Sequence, residues 1–208
     1  MFDLRPVIVD YGAGNLRSVV NALRFIGAEP LVSSDASDIS RASAVILPGV
    51  GAAACIMDGL GQRGLKDALL SYIAHNKPFL GICLGLQALF EATDEGGGCV
   101  CLGVVAGRVR RFSPEMKVPH MGWNQVKQRQ LHPVFEGISD GSDFYFVHSY
   151  YCVPDDPTLV VGETDYGGGF CSAIARGNLV ATQFHPEKSG SDGLKVYINF
   201  LKMAGEVC

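Results

Sequence analysis

The stretch that most constrains this chain is Lys77-Pro78-Phe79-Leu80-Gly81-Ile82-Cys83-Leu84-Gly85-Leu86-Gln87. Phe79 to Ile82 is a nearly continuous apolar run behind a proline, the pattern of a parallel strand covered on both faces. Leu84 to Phe90 reads as a helix, so Cys83 falls at the junction of strand and helix. In Gly81-Ile82-Cys83-Leu84-Gly85, glycines two before and two after the cysteine reproduce the spacing of the G-x-S-x-G turn. Small residues there let strand and helix pass closely while the turn holds a nucleophile outward in a strained conformation. Backbone N–H groups at the helix start supply an oxyanion donor, most simply that of Leu84. The plainer reading is one more buried cysteine, among the most buried of residue types.

A second stretch, Ala181-Thr182-Gln183-Phe184-His185-Pro186-Glu187-Lys188-Ser189, follows the apolar run Leu179 to Ala181. His185 is therefore expected at a strand end, where α/β proteins keep their chemistry. Glu187 lies close enough in sequence to orient its imidazole. The acid follows the base in this chain, but triads are recognised by role and geometry rather than by order.

The rest of the pattern sets the fold. Pro6 to Asp10, Leu31-Val32 and Ala44 to Leu47 read as strands. Leu16, Val19, Val20, Leu23 and Ile26 recur at helical spacing before Gly27, and Leu65, Ala68, Leu69, Tyr72 and Ile73 do the same. Alternation of strand and helix implies right-handed crossovers and a mostly parallel sheet. The Gly12-Ala13-Gly14-Asn15 loop does not complete a dinucleotide fingerprint, because its third glycine would fall at Arg17. After Gly96-Gly97-Gly98 the segments 104–111, 124–127, 144–151, 159–163, 171–175 and 179–184 are short and strand-like, the signature of added antiparallel pairing. Leu194, Tyr197, Ile198 and Leu201 form the stripe of a last helix. The expected fold is α/β and flavodoxin-like, with a mostly parallel central sheet flanked by helices and antiparallel strands in the C-terminal half. Residues 1–208 are expected to form a single domain.

At 48% hydrophobic and 18% charged residues the composition suits a packed α/β protein. A formal net charge of −4 carries no polybasic footprint, which argues against nucleic acid as the main partner. No apolar run approaches the roughly 18 residues that span a bilayer. Seven cysteines, an odd number, and a start that enters a strand at Val7 without a charged leader point to free thiols in the reducing cytoplasm. Cys99-Val100-Cys101 lacks the second cluster a metal clip needs, so no metal and no cofactor is expected; no role attaches to Cys99 or Cys101.

Gly-Ile-Cys-Leu-Gly and His-Pro-Glu resemble the triad segments of class I glutamine amidotransferases, over nearly the whole chain. Within that class the similarity is closest to the glutaminase subunits of imidazole glycerol phosphate synthase, in histidine biosynthesis. It rests on Asp10 to Ser18, Pro48-Gly49-Val50-Gly51, Val118-Pro119-His120-Met121-Gly122-Trp123-Asn124 and Tyr145-Phe146-Val147-His148-Ser149-Tyr150. The resemblance implies hydrolysis of L-glutamine by Cys83, His185 and Glu187, with Val50, Gly51 and Leu84 forming the oxyanion site. It implies glutamine held at Gly51, Gln87, Ser149 and Tyr150; Gln87 as a solvated helix residue and Ser149-Tyr150 as an ordinary strand end are the plain alternatives. The implied partner is a (β/α)8-barrel cyclase in a heterodimer, which receives the ammonia and whose ligand stimulates the glutaminase. Asn15, Pro119, His120, Met121, Trp123, Asn124 and Lys188 resemble the docking positions, and a core tryptophan is the competing reading at Trp123. Rival readings are the glutaminase of a pyridoxal phosphate or anthranilate synthase, another cysteine hydrolase, and a binding subunit without activity.

Overall fold

The computed structural model describes residues 4–205. The chain runs β1 (Val7–Val9), α1 (Leu16–Phe25), β2 (Leu31–Ser33), α2 (Ala36–Arg41), β3 (Val45–Gly49), α3 (Ala53–Gln62), α4 (Lys66–Ala74), β4 (Phe79–Cys83) and α5 (Leu84–Gln87). It continues through β5 (Phe90–Thr93), β6 (Cys99–Val100), β7 (Val105–Arg111), β8 (His120–Gln128), β9 (Ser142–His148), β10 (Tyr150–Pro154), β11 (Val160–Asp165), β12 (Gly169–Arg176), β13 (Leu179–Thr182) and α6 (Gly190–Gly205). The strands β2-β1-β3-β4-β13 pair in parallel, and the sheet goes on antiparallel through β12 and β10 to β7. β11 branches from β12 and leads to the β8–β9 hairpin.

Alternation along the parallel strands splits the apolar side chains between two layers. Val7, Val9, Val45, Leu47 and Phe79 face α3 and α4, and Ile8, Ile46, Leu80 and Ile82 face α1 and α6. The end of α1 shows how local signals set boundaries. Gly27 adopts φ 84°, its N–H bonds to the Arg24 carbonyl, and the Ala28 N–H reaches back to the Leu23 carbonyl. This is the Schellman arrangement, which satisfies carbonyls the helix leaves open and turns the chain toward β2. No helix among the described residues is long and apolar enough to cross a membrane.

Two sequence expectations need correction. The helix after Cys83 ends at Gln87 instead of reaching Phe90. N–H groups of Leu102, Gly103 and Val104 capture the carbonyls of Ala88, Phe90 and Leu89, and Phe90–Thr93 pairs in parallel with β7. Nor is 144–151 one strand. It breaks at Ser149, where the chain leaves the β8–β9 hairpin and joins the main sheet as β10. Two helices, α2 and α3, had no counterpart in the sequence reading.

Candidate active site

Cys83 ends β4 directly beside Gly49, its register partner at the end of β3. It holds φ 54° and ψ −106°, a left-handed region costly for any residue with a Cβ. The surrounding glycines make this turn possible. A Cβ on Gly81 would lie 2.9 Å from the Gly85 carbonyl oxygen, one on Gly49 would lie 2.6 Å from the Leu84 Cβ, and one on Gly85 would collide with the Leu47 carbonyl oxygen. Strand and helix therefore cross at backbone contact, and Cys83 is pushed into the cavity above the sheet.

On the other side of β4, β13 ends at Thr182 and the chain turns through Gln183 and Phe184 to His185. That turn is anchored to β9. The His185 N–H bonds to the Tyr145 carbonyl at 2.9 Å, and the Ser189 hydroxyl donates to the His185 carbonyl at 2.6 Å while accepting the Tyr145 N–H at 3.0 Å. His185 Nδ1 lies 2.8 Å from Glu187 Oε1, with both side chains almost wholly buried. The Tyr197 hydroxyl of α6 donates to the second Glu187 oxygen at 3.4 Å. With Nδ1–H given to the carboxylate, Nε2 is left without a hydrogen-bond partner. The ring borders the same cavity as Cys83. Burial disfavours the imidazolium, but the facing Cys83 sulfur and the Glu187 carboxylate outweigh it and push the His185 pKa from 6.5 to about 10.

The cavity is about 260 Å³, a size for a small molecule, and brings together Val50, Gly51, Leu84, Gln87, Ser149 and Tyr150 from three segments of chain. Gln87 is buried rather than solvated. Its amide donates to the Tyr150 carbonyl and to Gln183 Oε1, each at 3.0 Å, and Gln183 donates to the Cys83 sulfur at 3.5 Å. Gly51 takes φ 99°, so the peptide at the end of β3 turns in a way few other residues allow. Beneath it the Tyr11 phenol is buried; burial raises its pKa to about 12, and the nearby Val50 N–H opposes the rise. That N–H approaches the hydroxyl without completing a hydrogen bond, since the oxygen has no partner.

Several cavity residues were absent from the sequence reading. Glu95 presents a carboxylate to the cavity while its Oε2 accepts the Ala53 N–H at 2.6 Å, holding the start of α3. Val147 and His148 also line it. Behind the lining, Gln183 bonds to Cys83 and Tyr197 to Glu187, and the usable signal for both was a polar group in a segment that otherwise buries, since buried polar groups must find partners.

Of the expected docking positions, Met121 and Trp123 are 63% and 57% exposed, which removes the core reading of Trp123. Pro119 is exposed at the cavity edge, and exposed Lys188 sits 5.5 Å over the Tyr145 ring. Asn15 is half-buried at the start of α1. His120 must be corrected. Its ring is 4% exposed and points inward, because even-numbered residues of β8 face the core side of the hairpin. Asn124 shares that inner side and is half-buried.

The model of the family "Glutamine amidotransferase class-I" matches residues 7–203. Over 197 residues the chain is 55% identical to imidazole glycerol phosphate synthase subunit HisH of Dehalococcoides mccartyi (strain CBDB1), covering 95% of this chain and 96% of that one. The chain belongs to the class-I glutamine amidotransferases, in the HisH family. A HisH subunit from Rhodopirellula baltica is 51% identical over 202 residues, covering 96% of this chain and 98% of its own. The amidotransferase fold is shared with more distant solved structures. One described as a glutamine amidotransferase superposes with a TM-score of 0.76 at 20% identity, covering 96% of this chain and 98% of that one. PurLQS from Thermotoga maritima gives 0.74 at 21% identity, with the same coverage.

Proposed function

We propose that this amidotransferase hydrolyses L-glutamine with Cys83, His185 and Glu187 and passes the ammonia to a (β/α)8-barrel cyclase subunit in a heterodimer. The cyclase would use it to make imidazole glycerol phosphate and AICAR in the cytoplasmic pathway to histidine. The observation that carries this reading is the convergence of Cys83, on its strained turn, and the Glu187-bound imidazole of His185 on one small cavity. The HisH relatives named above support the choice of synthase over the pyridoxal phosphate and anthranilate types.

The Cys83 thiolate attacks the side-chain carboxamide carbon, and its electron pair becomes the new C–S bond. Charge collects on the carboxamide oxygen, where the N–H of Leu84 and an N–H of Val50 or Gly51 are the donors. As the C–N bond breaks, His185 gives its Nε2 proton to the leaving nitrogen and ammonia departs. Water then attacks the thioester, His185 takes its proton, and the C–S bond breaks to release glutamate. Gln87, through its bonds to Tyr150 and Gln183, fixes the wall against which glutamine lies, and the Glu95 carboxylate suits the substrate's ammonium group. Ammonia released to water at neutral pH would be protonated, so the mouth needs a cover. Met121, Trp123 and Tyr145 project from the outer side of the β8–β9 hairpin, and Val147 on that side reaches the cavity. A cyclase docked there, with Asn15 and Lys188 at the margin, would close it. Turning an N–H of Val50 or Gly51 inward is the step through which the cyclase's ligand would stimulate turnover.

The deciding experiment measures glutamate formation by the chain alone and with the cyclase plus its nucleotide ligand, with Cys83→Ala as control. Strong stimulation that vanishes in Cys83→Ala supports the reading. Turnover equally fast with and without the cyclase would remove the coupling, and no turnover under any condition would remove the glutaminase.

A further inference from the structure

Two buried histidines have no part in the chemistry above, yet they join the outer hairpin to the cavity. His148 Nδ1 lies 2.7 Å from the Tyr150 carbonyl, and His148 Nε2 lies 3.0 Å from His120 Nδ1. His120 Nε2 lies 3.2 Å from Asn124 Nδ2, which also reaches the Asp165 carbonyl at 2.9 Å. Proton positions follow from the two ends. A carbonyl only accepts, so His148 carries its proton on Nδ1 and offers Nε2 as an acceptor; His120 must then donate from Nδ1 and accept at Nε2. From the other end, the Asp165 carbonyl needs a donor and the Gln125 N–H fills Asn124 Oδ1 at 2.8 Å, so the Asn124 amide can only donate to His120. Both ends give the same direction. Burial keeps the two rings neutral, pulling His120 to about 4 and His148 to about 3, with His120 and His185 adding to the fall at His148.

We propose that Asn124, His120 and His148 form a positioning relay that holds the Tyr150 carbonyl, and with it the Ser149–Tyr150 wall of the cavity, from the rim of the exposed hairpin. The inference rests on the glutaminase reading and adds to it what sets affinity for glutamine. Tyr150 is the meeting point, because its carbonyl also accepts the Gln87 amide at 3.0 Å. His120 follows directly after Pro119, so the relay links the Pro119 edge of the cavity to its Ser149–Tyr150 wall. The His120 ring cannot turn freely to adjust, being stacked between Tyr166 at 4.0 Å and Phe146 at 5.0 Å. These are positioning residues: loss of the relay loosens the wall, and the cost falls on substrate binding.

The test compares glutamine kinetics, at saturating cyclase and nucleotide ligand, for the parent, His148→Phe, His148→Gln and Asn124→Ala. His148→Phe keeps a planar aromatic ring and removes both bonds, and raises KM about tenfold with kcat within about threefold, the scale of one unmade buried hydrogen bond. His148→Gln, with a donor and an acceptor, recovers part of that loss. Asn124→Ala, at the half-buried end, raises KM about threefold and serves should His148→Phe fail to fold. Unchanged KM in both His148→Phe and Asn124→Ala overturns the proposal, as does a loss confined to kcat. Nitrogen-15 spectra of the ring nitrogens give a second readout, with protons expected on Nδ1 of both histidines; a proton on His148 Nε2 also overturns it. An inactive parent sinks the glutaminase reading instead, and the ring spectra still decide the relay.

Discussion

At Cys83 a positive φ, a sulfur and a helix start occupy one position, and each neighbour's chemistry can be probed singly. Cys83→Ala is expected to abolish glutamate formation, whereas Glu187→Gln keeps nucleophile and base and loses about a hundredfold in kcat, the low end of what positioned acid–base groups supply. Tyr197→Phe removes one of the two bonds to a carboxylate that is only 2% exposed, and a fall in kcat of about threefold, with unaltered KM, is expected. The histidine pair gives a pH signature of its own. His148 is held neutral, its pKa depressed from 6.5 to about 3, so the unfolded chain binds its proton first as the pH falls. The stability it contributes is complete above 6.5 and is lost as the pH drops through that window. Thermal melts of parent and His148→Phe between pH 7 and pH 4 should therefore converge as acid is added, and parallel curves would refute the assignment.

At the scale of elements, the close crossing of β3, β4 and α5 is the part least open to change. Gly85→Ala drives a methyl into the Leu47 carbonyl, and a loss of more than about 3 kcal/mol in a denaturant titration is expected, while Gly51→Ala, with open space around it, costs only the strain of its φ 99°. The sequence disclosed this crossing because its glycines stand at fixed offsets from Cys83. The parallel strands were equally legible as apolar runs, and α1 as a stripe ending in Gly27. What escaped were elements whose cause lies elsewhere in the chain. Helix α3 contains Gly59 and Gly61, poor helix formers, yet Gly59 is required because a Cβ there would strike the Tyr11 carbonyl. Its first N–H is satisfied by Glu95, 42 residues along. The early stop of α5 is likewise imposed from afar, by residues 102–104 taking the carbonyls of residues 88–90 that follow it. For the site, Cys83, His185 and Glu187 were legible because they sit in short motifs, whereas Glu95 and the His120–His148 contact depend on strand pairing that local spacing does not encode.

For the whole molecule, the sheet places Cys83 and His185 at one end of its parallel strands and the exposed Met121 and Trp123 on the hairpin beside them. Trp123→Ala should leave the melting temperature of the isolated chain within about 2 °C and weaken cyclase binding at least tenfold, as loss of a central interface tryptophan does. Titration calorimetry would measure this, and unaltered affinity would move the docking face elsewhere. The β8–β9 hairpin also has a property that follows from its two-residue period. Met121 and Trp123 look outward while His120 and Asn124 look inward from the same nine-residue strand, so the exposed pair and the inward pair are locked in phase. A partner leaning on the tryptophan leans on the backbone that carries the imidazole. A one-residue slip of β8 against β9 would turn the strand inside out, putting Met121 and Trp123 on the core side and the histidine into solvent. Drift in such a strand can proceed by substitution but not by slippage, because its two faces are told apart by parity alone.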